Sequence, residues 1–173
     1  MTIGNIKTHD NWWTPDDIYL DAIRLAGVIP ELDVCADAKN TKCRNYFTKK
    51  QDALTQSWCL INKSNNTTNK YRMVKRVPVW CNPPGKYVQL MVNRAYDQWQ
   101  FLNIDIVMLI PVNTITNIDF RKVWDRFLSN KNHIMIHPMF GVRPRFLDKG
   151  KKPKFGSRNG YIVLHFKKRL NAS

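Results

Sequence analysis

Apolar and polar positions along the chain follow two alternating periods, and each period predicts a different kind of element. Helical spacing of apolar residues predicts three helices, which begin after Thr14, near Tyr87 and near Phe120. Short apolar runs predict six strands, at residues 32–36, 46–47, 77–81, 104–112, 134–137 and 161–166. Because strands that alternate with helices form an α/β sheet, we expect an α/β fold with helices on both faces of the sheet.

The first helix and the central strand carry the clearest local signals. Thr14 is a good N-cap, Pro15 suits the first helical turn, and Gly27 can end the helix. Residues 104–112 are almost wholly apolar. A continuous apolar run of this kind predicts a central strand that is covered on both faces.

Polar residues stand where two predicted strands end. Asp33 lies at the end of one strand, Asn82 follows another, and Asp52 lies on the connection between them. In open α/β sheets, ligands bind beyond the carboxyl ends of the strands, near the point where the strand order reverses. The sequence therefore predicts a cofactor beside a substrate pocket at this edge of the sheet.

The segment Asn82-Pro83-Pro84 has the most specific chemistry. The two prolines have no backbone N–H and a fixed φ, so they end the strand rigidly and leave the carbonyl of Pro83 free to accept a hydrogen bond. The side chain of Asn82 adds a second acceptor. Two fixed acceptors can grip a planar amine, so the segment indicates amine chemistry; a plain turn after a strand is the alternative.

Length and charge narrow the class of protein and of partner. The 173 residues fit a single domain spanning 1–173, and the formal net charge of +15 implies a polyanionic partner. Positive residues concentrate in two acid-poor connections, at about residues 60–76 and 143–158, which we expect to contact phosphates. The candidate contact residues are Arg72, Lys75, Arg76, Arg143, Arg145, Lys151, Lys152, Lys154 and Arg158.

Cysteine, histidine and hydropathy patterns argue against other classes. The four cysteines form no Cys-x-x-Cys pair, which predicts free thiols in a reducing compartment. His133 and His137 are four residues apart in a segment that alternates like a strand, so we expect structural histidines and no metal site. There is no apolar run of about 18 residues and no basic-then-apolar leader, so we expect an intracellular, cytoplasmic protein without a membrane span.

Several motifs together resemble one known family. They occur over about residues 11–90 and are, in order, Trp-Trp-Thr-Pro, Leu-Asp-Val-Cys-Ala, Tyr-Phe-Thr, Asp-Ala-Leu and Trp-Cys-Asn-Pro-Pro. Their order and spacing are similar to those of the phage-type DNA N-6-adenine methyltransferases. The resemblance extends to about residue 170. It implies a Rossmann-like class I methyltransferase sheet, S-adenosylmethionine as cofactor, and methyl transfer to the exocyclic amine of adenine in DNA, with double-stranded DNA favoured.

The resemblance also implies a cofactor site. Thr14 would lie near the methionine part of the cofactor, or would be only a helix cap. Asp33 would hold the cationic methionine end, directly or through water, or would be only a turn residue at the end of a strand. Asp52 would accept a hydrogen bond from the adenine amine of the cofactor. The full set of implied cofactor residues is Trp13, Thr14, Pro15, Asp33, Asn40 and Asp52.

For catalysis, the resemblance implies that Asn82 Oδ1 and the Pro83 carbonyl accept the two amine protons of an adenine flipped out of the duplex. Two departures from the family pattern stand out. Gly85 occupies the position after Asn-Pro-Pro, where an aromatic residue commonly stacks on the target base, and residues 33–43 contain no glycine. The rings that could replace the missing one are Tyr87, Trp80 and Phe140; the predicted catalytic set is Asn82, Pro83, Pro84 and Tyr87.

These departures leave a second function open, that of a catalytically impaired basic protein which binds nucleic acid on the same fold. Methylation of a protein glutamine amide would use the same Asn-Pro-Pro geometry, but the charge of +15 favours a nucleic acid. Single-stranded DNA or RNA as the substrate and the oligomeric state stay open at this point.

Overall fold

The computed structural model describes residues 12–62, 73–116, 121–140, 144–151, 157 and 159–170. The helices are α1 (Asp16–Ala26), α2 (Val88–Leu102) and α3 (Arg121–Leu128), and short 3-10 turns occupy Gly85–Tyr87 and Val112–Thr114. The strands are β1 (Trp12–Trp13), β2 (Leu32–Asp33), β3 (Asn45–Tyr46), β4 (Leu60–Asn62), β5 (Met73–Lys75), β6 (Val79–Cys81), β7 (Ile106–Pro111), β8 (Ile134–Pro138), β9 (Leu147–Asp148) and β10 (Tyr161–Phe166).

A six-stranded mixed sheet with the order β3-β2-β6-β7-β10-β8 forms the centre of the fold. The first four strands are parallel, and β10 is antiparallel to both of its neighbours, β7 and β8. Two short ribbons, β1 with β9 and β4 with β5, lie outside this sheet. The predicted α/β fold is confirmed in this form.

Helices cover both faces of the sheet because β7 presents apolar side chains to each side. Met91, Val92, Ala95 and Trp99 of α2 belong to the same apolar cluster as Ile106, Met108 and Ile110. The intervening residues of β7, Val107 and Leu109, lie in a second cluster with Ile18 and Ala22 of α1. Residues 106–110 are all buried, so the prediction of a central strand covered on both faces is confirmed.

The order in which strands are added to the sheet reverses between β2 and β6. From β2 the chain forms β3 on one side, and it later returns to form β6 on the other side of β2. In a parallel sheet this reversal opens a crevice at the carboxyl ends of the two strands, because the following connections diverge. Asp33 ends β2 and Asn82 directly follows β6, so the two residues lie at the crevice.

Three predicted boundaries differ from the structure for identifiable reasons. The N-cap position of α1 is Pro15 and has no side-chain cap, so the prediction of Thr14 as N-cap is wrong; the Thr14 hydroxyl instead contacts Asn82. The strand predicted at 32–36 ends at Asp33, because the Asp33 carboxylate accepts the N–H of Cys35 and starts a turn. β6 begins at Val79 rather than at residue 77, after Pro78, which has no N–H to donate.

Gly27 ends α1 as predicted. Its φ of 66° is left-handed, and its N–H donates to the carbonyls of Ile23 and Arg24. In the part of the chain that the structure describes, no helix has the length and apolar character needed to cross a membrane.

Candidate functional site

A cavity of about 380 Å³ opens at the carboxyl end of β2, on the side toward α2. Its volume is in the range of small-molecule sites, about 300–1,000 Å³. Of the predicted site residues, Asn40, Asp52, Pro84 and Tyr87 line the cavity. The other lining residues are Val34, Cys35, Ala36, Asp37, Phe47, Thr48, Lys49, Ala53, Leu54, Lys86 and Met91.

Asp33 does not line the cavity itself, although the next residue, Val34, does. Its side chain is buried, with the residue only 2% exposed, and its two carboxylate oxygens accept the N–H groups of Cys35 (3.1 Å) and Lys42 (3.0 Å). Burial raises the pKa of Asp33 from its ordinary 3.8 to about 6, against the lowering effect of these two N–H donors. In this geometry the carboxylate fixes both ends of the loop that runs from residue 35 to 42.

The same loop is held by a reciprocal pair of polar side chains. The Asp37 carboxylate accepts the N–H of Lys39 (2.7 Å) and of Asn40 (3.2 Å), and Asn40 Oδ1 accepts the N–H of Asp37 (2.6 Å). None of residues 33–43 has a left-handed φ, so the loop needs no glycine for its backbone conformation. The absence of glycine in this segment is therefore compatible with a shaped loop beside the cavity.

Asp52 forms a tight turn at the opposite wall. Its φ of 55° is left-handed, a conformation that aspartate tolerates better than most residues, and its Oδ1 accepts the N–H of Leu54 (3.1 Å). The turn is anchored by Trp58, which is fully buried and donates its indole N–H to the carbonyl of Ala53 (2.8 Å). Asp52 itself is exposed and lines the cavity.

Gln98 is a supporting residue that the sequence reasoning missed. Its side-chain oxygen accepts the backbone N–H of Trp58 at 2.7 Å, and both residues are buried. A signal was present, because Gln98 lies on the apolar stripe of α2 between Ala95 and Leu102. A polar residue on a buried stripe needs a buried partner.

Asn82 lies just outside the cavity wall, at the end of β6. All three residues of β6 are buried, and Pro83 is buried as well. The side-chain nitrogen Nδ2 of Asn82 donates to the hydroxyl of Thr14 at 2.8 Å. The carbonyl of Pro84 accepts the N–H of Tyr87 at 2.8 Å, which closes the turn and brings Pro84 and Tyr87 to the cavity.

The three aromatic rings proposed for base stacking occupy different environments. Trp80 is 1% exposed and packs edge-on against Tyr19 under α1, at a centroid distance of 5.0 Å, so its proposed role in stacking is wrong. Tyr87 is partly exposed at the cavity, where Lys86 Nζ lies 4.9 Å from its ring centroid. Phe140 is 85% exposed just beyond the carboxyl end of β8.

Trp13, Thr14 and Pro15 do not line the cavity either. Trp13 pairs with Leu147 in the ribbon of β1 and β9. The turn that follows β9 lies against its ring, because a Cβ added at Gly150 would come within 3.0 Å of the Trp13 side chain. The segment before α1 thus contacts the basic connection at residues 143–158 through Trp13, and it contacts Asn82 through Thr14.

The predicted DNA-contact residues that the structure describes lie at two separate places. Lys75 and Arg76 precede β6, at the amino ends of the parallel strands, where Lys75 Nζ pairs with Glu31 at 2.6 Å. Arg145 and Lys151 are exposed on either side of β9, in the connection that contacts Trp13. The remaining predicted contact residues lie outside the described residues; they are Arg72, Arg143, Lys152, Lys154 and Arg158.

In the described part of the chain the cysteines are free thiols, and one histidine contacts an aspartate. The four thiols are free, and Cys35 Sγ lies 3.7 Å from Cys81 Sγ. Burial is the main cause that raises the pKa of the Cys81 thiol. His165 contacts Asp105 at 3.0 Å on the amino side of the sheet, and the described residues contain no cluster of three potential metal ligands.

Comparison with known proteins shows similarity to enzymes that methylate DNA. A family model described as DNA N-6-adenine-methyltransferase (Dam) matches residues 4–171. The DNA N-6-adenine-methyltransferase of Haemophilus phage HP1 (strain HP1c1) is 31% identical over 137 residues, which cover 78% of this chain and 67% of that protein.

Proposed function

Because the chain belongs to the DNA N-6-adenine-methyltransferase family, we propose that it transfers a methyl group from S-adenosylmethionine to the exocyclic amine of an adenine held at Asn82-Pro83-Pro84. Membership of the family makes the protein a methyltransferase that acts on adenine in DNA. The cofactor, the flipped base and the roles of single residues are the parts that we propose here.

One observation carries the proposal. The Asn82-Pro83-Pro84 turn and the cavity meet at the crevice between β2 and β6, since Pro84 belongs both to the turn and to the cavity wall and accepts the N–H of Tyr87, which also lines the cavity. A ligand in the cavity would therefore lie next to an amine that Asn82 holds. Direct transfer of a group between two bound molecules requires that they lie next to each other in this way.

The residues of the cavity fit S-adenosylmethionine in both size and character. Phe47, Leu54 and Met91 offer apolar contact for a purine, while Asn40 and the exposed carboxylate of Asp52 offer hydrogen bonds to its amine and to a ribose. When bound, the cofactor supplies a methyl group on a positively charged sulfur, which is already a strong electrophile.

In this proposal Asp33 has a different role from the implied one of holding the cationic methionine end directly or through water. Its two oxygens hold the N–H groups of Cys35 and Lys42, so it shapes the loop around the cofactor instead of contacting it. Trp13 and Pro15 likewise act through Thr14, the residue between them.

Catalysis then consists of holding and orienting the amine. Asn82 Oδ1 and the Pro83 carbonyl accept hydrogen bonds from its two N–H groups, which draws the nitrogen lone pair out of conjugation with the ring and toward the methyl group. Two successive prolines hold these acceptors in place before the substrate arrives, so little reorganisation is needed. A base inside a duplex cannot reach this turn, so it has to be flipped out of the helix.

Positive residues beside the turn would hold the DNA. Arg145 and Lys151 flank β9, whose partner strand β1 ends one residue before Thr14. Phosphate contacts here would offset part of the free energy that unstacking a base costs.

We assign the sheet to the Rossmann-like class I arrangement of methyltransferases. Four features support this assignment: parallel β3, β2, β6 and β7, a reversal of strand order between β2 and β6, helices on both faces, and an antiparallel β10. That residues 1–173 form one domain stays a prediction.

A methyl-transfer assay tests the function. Purified protein is mixed with labelled S-adenosylmethionine and double-stranded, single-stranded or ribonucleic substrates, and the methylated base is identified by mass spectrometry. We expect label on N6 of adenine in DNA, and a loss of at least about 100-fold in kcat for Asn82→Ala, since one of two oriented acceptors is removed.

The control for this assay is cofactor binding by calorimetry. Asn82→Ala should bind S-adenosylmethionine as the wild type does, because Asn82 does not line the cavity. A folded wild-type protein that binds the cofactor and yet labels no nucleic acid would favour the alternative of a catalytically impaired binding protein.

A further inference from the structure

The hydroxyl of Thr14 contacts the amide of Asn82 and not the cavity. We propose that Thr14 is a positioning residue, which holds the amide of Asn82 so that Oδ1 faces the target amine; this inference rests on the proposed function. The bond runs from Asn82 Nδ2 to Thr14 Oγ1 and measures 2.8 Å. The two residues are 68 positions apart in sequence, so the contact exists only in the folded chain.

Thr14 has little freedom to move. It is 5% exposed, and it lies between β1, which pairs with β9, and α1, which begins at Asp16. Ile18 and Ala22 bury the next turns of α1 against the sheet. A hydroxyl on a buried and doubly anchored residue is a fixed reference point for its partner.

An asparagine amide has two ends of nearly the same shape, and a hydroxyl can bond to either end because it both donates and accepts; in this structure it accepts from Nδ2. An exocyclic amine presents N–H donors. If Nδ2 of Asn82 faced this amine, donor would meet donor and the acceptor would be lost. Because Nδ2 donates to Thr14 instead, Oδ1 occupies the other branch of the amide and is available as the acceptor.

The position of Thr14 separates this role from a role in cofactor binding. Asn40 and Asp52 line the cavity, whereas Thr14 does not. A residue that acts through Asn82 should change the turnover number at saturating cofactor, while a residue that binds the cofactor should change its dissociation constant.

The first test compares Thr14→Val with Thr14→Ser in the full chain. Valine keeps the shape and removes the hydroxyl, and we expect kcat to fall by about five- to tenfold, as for the loss of one neutral hydrogen bond. Serine keeps the hydroxyl and should keep most of the turnover. The dissociation constant of S-adenosylmethionine, measured by calorimetry, should change by less than about twofold in both variants.

A second test uses the symmetry of a carboxylate. In Asn82→Asp both oxygens are acceptors, so no orientation has to be selected. We expect Thr14→Val to lower kcat by much less in this background than in the Asn82 background. A merely structural role of Thr14 would give the same loss in both, and this can be checked against thermal unfolding of all four proteins.

Each outcome decides between the alternatives. An unchanged kcat in Thr14→Val, or a weakened cofactor affinity with kcat retained, would overturn the positioning role. If Asn82→Asp turns over too slowly to measure, or if Thr14→Val does not fold, the comparison of Thr14→Ser with Thr14→Ala at saturating cofactor decides by the same criteria. Inactivity of the wild type on every nucleic acid would instead contradict the proposed function and would be recognised before any variant is compared.

Discussion

At the scale of single residues, the site shows which departure from the family pattern matters. The loop without glycine needs none, because its backbone avoids left-handed conformations and is fixed by Asp33, Asp37 and Asn40. Gly85 is different, since it leaves the turn after Asn82 without the ring that commonly stacks on a target base. Under the proposed function, we therefore expect the weak point of this site to be its hold on the target base and not the shape of the loop at residues 35–42.

Restoring an aromatic ring at position 85 should strengthen that grip. Gly85 has an ordinary backbone conformation, and an added Cβ meets no described atom within 4 Å, so a side chain can be accommodated. Stacking of a base on an aromatic ring contributes about 1–3 kcal/mol, so Gly85→Phe should lower KM for DNA by at least about fivefold. Steady-state kinetics on an oligonucleotide duplex measure this change.

Gly85→Ala is the matched control, because it adds the same Cβ without a ring. We expect alanine to leave KM for DNA close to the wild-type value. If the phenylalanine and alanine variants show equal KM values, the ring does not reach the base, and Tyr87 or Phe140 has to supply the stacking.

At the scale of elements, periodicity predicted the three helices and the six strands of the central sheet, predicted their ends poorly, and missed the two short ribbons, β1 with β9 and β4 with β5. The apolar runs at 104–112 and 161–166 predicted β7 and β10 because burial on both faces requires continuous apolar sequence. The strand at 32–36 was too long and Thr14 was misassigned, since both ends depend on hydrogen bonds to distant or turn-forming partners. The supporting role of Gln98 was missed for the same reason, since its hydrogen-bond partner Trp58 is 40 positions away in sequence.

The end of β2 makes a prediction about pH. Burial raises the pKa of Asp33 from 3.8 to about 6, so the folded state binds this proton more tightly than the unfolded state does. Its contribution to the free energy of unfolding is therefore fully present below about pH 4 and is lost as the pH rises through about 6. The pKa difference corresponds to roughly 3 kcal/mol.

Urea denaturation of wild type and Asp33→Asn between pH 4 and 7.5 measures this contribution. The asparagine does not titrate, so the wild-type free energy of unfolding minus that of the variant should fall as the pH rises. Asp97→Asn, an exposed change on α2, is the control for general charge effects. A difference between wild type and Asp33→Asn that is constant with pH would contradict the proposed environment of Asp33.

At the scale of the whole molecule, net charge predicted a polyanionic partner but could not predict which face meets it. Arg145 and Lys151 lie in the connection that contacts the segment before α1, and Thr14 of that segment contacts Asn82. Lys75 and Arg76 lie at the opposite edge of the parallel strands, and Lys75 is already paired with Glu31. Only the folded topology separates these two groups, which look alike in the sequence.

Two double variants that remove equal charge should therefore differ in DNA binding. Arg145→Gln with Lys151→Gln should weaken binding and reduce the slope of log K against log salt by up to about 2, as expected for two lost phosphate contacts. Lys75→Gln with Arg76→Gln should change the slope much less. Fluorescence anisotropy on a duplex between 50 and 200 mM salt would measure both, and a larger effect of the second pair would contradict the proposed DNA face.

The position of β10 in the sheet determines when the sheet can be completed during synthesis of the chain. Residues 161–166 are the last strand in the described part of the sequence, yet they lie between β7 and β8, and β8 pairs with no other described strand. While a ribosome is still translating residues 134–160, β8 has nothing to pair with and β7 has one open edge. The six-stranded sheet is therefore completed only after residue 166 has been synthesised, so a chain that ends earlier would carry Asn82 on an incomplete sheet.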